Sequence, residues 1–103
     1  MFVHEKPVLD ALLTGSTHHL DMGNGISAAV YYGAAGEAQM RAPDGGRRVG
    51  AWAITPTGYH VDWTNGPSAD WQIDLVPGRI GYCDGAGSQK AIVTRIVPGN
   101  DLG

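Results

Sequence analysis

The chain has a single cysteine, Cys83, among its 103 residues. One thiol can form no disulfide within the chain, and it excludes the zinc sites that are built from pairs of cysteines. A catalytic thiol needs a base and positively charged surroundings, whereas Cys83 is followed directly by Asp84. We therefore expect Cys83 to be a small, partly buried residue without chemistry of its own.

Positive charge is also scarce, with 7 Lys and Arg against 10 Asp and Glu and a net charge of −3. The only local basic cluster is formed by Arg47 and Arg48, and it lies beside Asp44. Binding to nucleic acid or to an anionic membrane surface requires a basic stripe or patch. We therefore expect neither nucleic acid nor a membrane among the partners.

Long apolar runs are missing as well. No stretch approaches the roughly 18 apolar residues of a membrane-spanning helix. The beginning of the chain, "MFVHEKPVLDALLTG", lacks the basic segment followed by an apolar segment that marks a secretory signal. The expected location is therefore the cytoplasm.

Glycine, in contrast, is abundant. The 16 glycines are more than twice the usual share of about 7%, and they are scattered between short apolar runs, which indicates many tight turns. Only the beginning of the chain has helical spacing. In "EKPVLDALLTG", residues 5–15, Pro7 suits a first helical turn, and Thr14 with Gly15 suits a helix end.

From residue 16 to residue 98 the apolar period changes to two, and Gly, Pro, Asn or Asp stands at every break. This pattern predicts an all-β fold: one domain over residues 1–103, with a short N-terminal helix and an eight-stranded antiparallel meander. Eight strands close a small barrel. A half-barrel that pairs through its free edge with a second copy, as a homodimer, is the alternative.

Three strands show the alternation most clearly, and in the first of them Trp52 and Ile54 share one face. Tyr59, Val61 and Trp63 share one face, whereas His60 and Asp62 share the other. The following strand repeats the pattern, because Trp71 and Ile73 alternate with carboxylates and a glutamine. One face of the sheet is thus predicted to be buried and the other to be in contact with water.

Several short motifs along the chain occur in a fixed order: a leucine-rich helix, Gly-x-Thr, a tyrosine strand ending in a glycine turn, and Gly-x-Trp before a glycine hairpin. In this order the chain resembles a small bacterial lipocalin-like domain family of unknown function. The resemblance implies a calycin-type meander barrel and no catalytic residues. The matching residues are Gly15, Thr17, Tyr31, Tyr32, Gly33, Gly36, Gly50, Trp52, Gly58, Trp63, Pro98, Gly99 and Asn100.

The aromatic residues are the first candidates for a site. A small domain needs their large buried area, so packing of the core is one interpretation. The other is a pocket lined with aromatic side chains. The residues predicted to line such a pocket are Trp52, Tyr59, Trp63, Trp71 and Tyr31.

His60 and Asp62 form a second candidate. They lie two residues apart on one strand face, and at this distance the carboxylate can orient the imidazole for acid–base catalysis. This catalytic interpretation requires their face to line the cavity. The alternative is a polar pair on the outer wall, in contact with solvent.

A metal or cofactor is not predicted. His18 and His19 are adjacent, so they point to opposite faces of a strand and do not easily share one metal ion. A site that combines one of them with His4 or His60 has no characteristic ligand spacing. No phosphate-binding loop is present either.

The sequence therefore predicts a binding module for a small apolar or aromatic molecule. One alternative is a small enzyme of isomerase, lyase or hydrolase type that uses His60 with Asp62. The other is a structural or protein-interaction domain whose barrel is completely filled by side chains.

Overall fold

One helix and eight strands follow one another in the computed structural model, which describes residues 1–102. The helix α1 is shorter at both ends than the predicted range 5–15, because Glu5 and Thr14 already have extended backbone. The elements are α1 Lys6–Leu13, β1 Ser16–Gly23, β2 Ile26–Tyr32, β3 Glu37–Arg41, β4 Arg47–Ile54, β5 Tyr59–Trp63, β6 Ser68–Val76, β7 Arg79–Asp84 and β8 Gln89–Pro98.

The strands form a closed barrel in which each is antiparallel to its neighbours in the chain. Closure is made by β1 and β8, which pair from Ser16 opposite Pro98 to Asp21 opposite Ile92. The predicted all-β meander barrel is thus confirmed, and the half-barrel alternative is wrong. A closed barrel has no free edge strand. The edge strand through which a homodimer was expected to form is therefore absent from the barrel. The homodimer stays a prediction.

Tight hairpins join neighbouring strands. In the turn between β1 and β2, Asn24 and Gly25 have positive φ angles of 55° and 76°. A two-residue hairpin of this kind needs positive φ at both positions, and Asn-Gly is the sequence that adopts it most readily. Turns this short keep consecutive strands adjacent, which is why the meander could be predicted from local sequence alone.

The N-terminal segment and α1 close one end of the barrel, which we call the closed end. β6 extends beyond β5, and residues 1–3 pair with the part of β6 that β5 leaves free. There, the Val3 N–H donates to the Ile73 carbonyl at 2.9 Å, and the Leu75 N–H donates to the Met1 carbonyl at 2.8 Å. Leu9 and Leu13 of α1 are fully buried and belong to the core cluster.

The segment 99–102 folds back over the outside of the barrel. The Gly99 N–H donates to the Gly15 carbonyl at 2.7 Å, and the Asp101 N–H donates to Thr17 Oγ1 at 2.8 Å. Arg41 Nη1 donates to the Leu102 carbonyl at 2.9 Å. Leu102 is therefore buried, and it covers a part of the outer wall that would otherwise face water.

Candidate functional site

The aromatic face of the sheet is the inner face of the barrel. Tyr59 and Val61 are buried, and Trp63 packs against the core cluster. His60 and Asp62 alternate with them and lie on the outer wall. His60 is paired across the sheet with Ala53 on one side and with Asp70 on the other.

The inside of the barrel is filled at the closed end and open at the other. The open end is formed by the hairpins β1–β2, β3–β4, β5–β6 and β7–β8. A cavity of about 350 Å³ lies there, and all eight strands contribute to its wall. Its lining residues are Leu20, Met22, Ala28, Val30, Tyr32, Met40, Ala42, Pro43, Arg48, Val61, Trp63, Pro67, Trp71, Tyr82, Lys90 and Ala91.

Two of the five aromatic residues predicted as ligand-binding line this cavity, namely Trp63 and Trp71. Trp52 and Tyr59 are buried in the core instead. Trp52 Nε1 donates to the Gly33 carbonyl at 2.9 Å, so its polar atom is already satisfied. Tyr31 lies on the outer face, because its neighbour Tyr32 points inward.

Tyrosine hydroxyls and one imidazole form the floor between the cavity and the filled end. The hydroxyl of Tyr32 lies 2.8 Å from that of Tyr82 and 3.2 Å from that of Tyr59. The hydroxyl of Tyr82 lies 2.6 Å from Nδ1 of His18. Nε2 of His18 lies 2.7 Å from the Leu12 carbonyl of α1.

The direction of these bonds follows from the groups involved. A carbonyl only accepts, so Nε2 of His18 carries the proton, and Nδ1 of the neutral ring accepts from Tyr82. Burial lowers the pKa of His18 despite its bond to Leu12, so the imidazole stays neutral. Burial also raises the pKa of Tyr32 to about 12 and those of Tyr59 and Tyr82 well above the ordinary value. The floor is therefore polar but uncharged.

This network was not predicted as a unit. The alternation of apolar and polar residues does place Tyr32 and Tyr82 on the inner face. It is the one sequence pattern that could have indicated the network. The contact between Tyr82 and His18 joins β7 to β1, two strands that are not neighbours in the barrel. Spacing along the chain gives no information on such a contact. His19 points outward, where its Nε2 lies 2.8 Å from Asp101 Oδ2.

The predicted contact between His60 and Asp62 exists, but it lies on the outer wall. His60 Nδ1 lies 2.8 Å from Asp70 Oδ1, and its Nε2 lies 3.0 Å from Asp62 Oδ1. The Asp70 hydrogen bond, followed by that of Asp62, raises the pKa of His60. With a carboxylate on each nitrogen, the ring is stabilised as the imidazolium, whereas a general base needs a free nitrogen. The catalytic interpretation also required this face to line the cavity, and the cavity lies on the other side of the sheet.

Comparisons of the chain with protein-family models, with curated proteins and with solved structures found no match. Within residues 1–102, no group of His, Cys, Asp or Glu has an arrangement that could hold a metal ion. No helix in this range is long and apolar enough to cross a membrane. The class of protein is therefore defined by geometry: a closed eight-stranded meander barrel with a largely apolar cavity at one end.

Proposed function

We propose that the chain is a binding module for a small apolar or aromatic molecule, held in the open end of the barrel. The observation that carries this proposal is the cavity of about 350 Å³, which has residues of all eight strands in its wall and a mainly apolar lining. Its volume lies within the range of small-molecule sites, about 300–1,000 Å³. At roughly 30 Å³ for each water-sized group, it takes about a dozen heavy atoms.

The division of the barrel supports binding over a purely structural role. Around Tyr59 and Ile73, which are fully buried, side chains fill the interior. Toward the open end, the inward positions on β2 and β8 hold Ala28 and Ala91, and both line the cavity. Small side chains at inward positions leave space, and an apolar molecule that fills this space is removed from water.

We also propose that the barrel is of the lipocalin-like type. The closed meander with a helix at one end supports a lipocalin-like barrel at the level of architecture. We propose a cytoplasmic location, which the single cysteine supports because it can form no disulfide within the chain.

Titration of the protein with 1-decanol and with naphthalene tests the proposal, by calorimetry and by tryptophan emission. Trp63 and Trp71 line the cavity, so a bound ligand should change the emission. The substitution Ala28→Phe fills the cavity and should weaken binding at least about tenfold, because the ligand loses buried apolar area. The matched control His60→Ala lies on the outer wall and should leave the affinity unchanged.

Two results would contradict the proposal. One is the absence of saturable binding by the wild-type protein. The other is an equal affinity of the wild-type protein and a folded Ala28→Phe variant, since the ligand would then lie outside the cavity. A loss of affinity in His60→Ala would favour the enzyme alternative.

A further inference from the structure

The charged side chains that line the cavity are both cations. They are Arg48 at the beginning of β4 and Lys90 at the beginning of β8. The other lining residues are neutral. The chain as a whole has a net charge of −3. The lining of the cavity, in contrast, is positively charged, because it includes two cations and no carboxylate.

The two cations stand on opposite sides of the opening. In the closed ring of eight strands, β4 and β8 are four strands apart in either direction. Both strands begin at the open end, so both side chains lie at the mouth, above the apolar wall. A group that enters the mouth along the barrel axis therefore passes between Arg48 and Lys90.

Two carboxylates lie near the mouth: Asp84 forms an ion pair with Lys90, and Asp44 lines a surface cleft together with Arg48. Asp84 Oδ2 lies 3.7 Å from Lys90 Nζ, but Asp84 Oδ1 accepts the N–H groups of Ala86 and Ser88 in the loop between β7 and β8, each at 3.0 Å. Asp44 Oδ1 accepts the Gly46 N–H at 2.8 Å. The ion pair between Lys90 and Asp84 is weak because the two side chains are 54% and 35% exposed, so Lys90 can still attract a second anion. Neither carboxylate lines the cavity.

We propose that the ligand is an anionic amphiphile, with a carboxylate head between Arg48 and Lys90 and an apolar body of about a dozen heavy atoms inside the barrel. This inference rests on the proposed function, and it adds the sign and the position of the head group. The apolar body lies against Trp63 and Trp71. The uncharged tyrosine floor ends the cavity, so the charged head stays at the mouth, where water still reaches it.

Three ten-carbon probes that share one tail test the position of the charge: decanoate, 1-decanol and decylammonium. They are titrated by calorimetry into the wild-type protein and into the double variant Arg48→Gln, Lys90→Gln. We expect the double substitution to weaken decanoate binding about tenfold, because two partly exposed charge pairs are lost. The affinity for 1-decanol should stay the same, and that for decylammonium should rise.

Two controls separate this effect from a loss of structure or of net charge. Arg79→Gln removes a cation at the closed end whose side chain is 44% exposed, against 54% for Lys90, and it should leave decanoate binding unchanged. In the wild-type protein, raising NaCl from about 20 mM to about 500 mM should weaken decanoate binding and not 1-decanol binding, because salt screens exposed charges. The salt titration needs no variant, so it tests the inference even if the double variant does not fold.

The outcomes are distinct. If 1-decanol binds and decanoate loses no more affinity than 1-decanol in the double variant, the anionic head is overturned and the binding module stands. If no probe binds the wild-type protein, both proposals are overturned. If decanoate binding depends on Arg48 and Lys90 as expected, a titration with 2-naphthoate distinguishes an aromatic carboxylate from a fatty acid as the ligand.

Discussion

At the scale of single residues, the Gly-x-Trp motif has a physical explanation. A Cβ atom on Gly50 would lie 2.1 Å from the Asp62 carbonyl oxygen of the neighbouring strand, and one on Gly58 would lie 2.0 Å from the Trp71 carbonyl oxygen. Only glycine permits such close approach of two backbones. Gly50 in the motif and Gly58 in the hairpin after it therefore allow β4, β5 and β6 to lie close together.

Substituting Gly50 by alanine should lower the free energy of unfolding by about 3 kcal/mol, because the added methyl group meets backbone that cannot rotate away. Urea unfolding followed by tryptophan emission measures this change. Gly85→Ala is the matched control, since a Cβ atom there has nothing within 4 Å; a change within about 0.5 kcal/mol is expected. Equal stabilities of the two variants would show that the strands can separate at Gly50 without cost.

The sequence predicted which face the aromatic residues lie on, but not how deep in the barrel each of them lies. Trp52, Tyr59, Trp63 and Trp71 share the inner face, as their period of two indicates. Their depth along the barrel axis depends on the stagger between strands, which residue types do not encode. The pattern therefore could not show that Trp63 and Trp71 line the cavity while Trp52 and Tyr59 lie in the core.

At the scale of elements, strands and turns could be predicted because their signals are local. Alternation of apolar residues defines a strand, and a residue such as Asn24 defines a turn. The segment 99–102 has the turn residues Gly99 and Asn100, but they do not show where the chain packs after the turn. The segment is held by Gly15, Thr17 and Arg41, which are far away in the chain. Its packing on the outer wall could not be predicted for this reason.

Leu102→Ala tests the contribution of this segment. Leu102 is 1% exposed, and removing a buried leucine side chain should lower the free energy of unfolding by about 2–3 kcal/mol. Val49→Ala is the control, because Val49 is 58% exposed and should change the stability by less than about 0.5 kcal/mol. Thermal unfolding of both variants measures the difference. A Leu102→Ala variant as stable as the control would mean that the segment does not hold its place on the barrel in solution.

At the scale of the whole molecule, the two histidines with shifted pKa values give the stability a defined pH dependence. The pKa of His18 is lowered by burial. Above the ordinary value of about 6.5, His18 is neutral in both states and its contribution is complete. As the pH falls below that value, the unfolded chain takes up a proton that the folded protein excludes, and stability is lost until the folded pKa is reached.

His60 acts in the opposite direction and in a different pH range. Its pKa is raised by Asp70 and Asp62, so its contribution is complete below about pH 6.5 and is lost as the pH rises through the folded pKa. His60 is solvent-accessible, and its effect should be small because water and salt screen exposed pairs. Below about pH 6.5 the contribution of His60 no longer changes, and the lowered pKa of Asp84 acts only near and below its ordinary value of 3.8. A loss of stability between about pH 6.5 and about pH 5 therefore comes from His18.

Urea unfolding at intervals between about pH 5 and about pH 8 separates the two histidines. From about pH 6.5 downward, the free energy of unfolding should fall by up to about 1.4 kcal/mol for each pH unit, the limit for one proton. His18→Gln should remove this slope, because glutamine can both accept from Tyr82 and donate to the Leu12 carbonyl without titrating. His60→Gln should keep it and flatten the profile above about pH 6.5. A wild-type profile that is flat below that value would mean that His18 is protonated inside the folded barrel, and the neutral floor of the cavity would then be wrong.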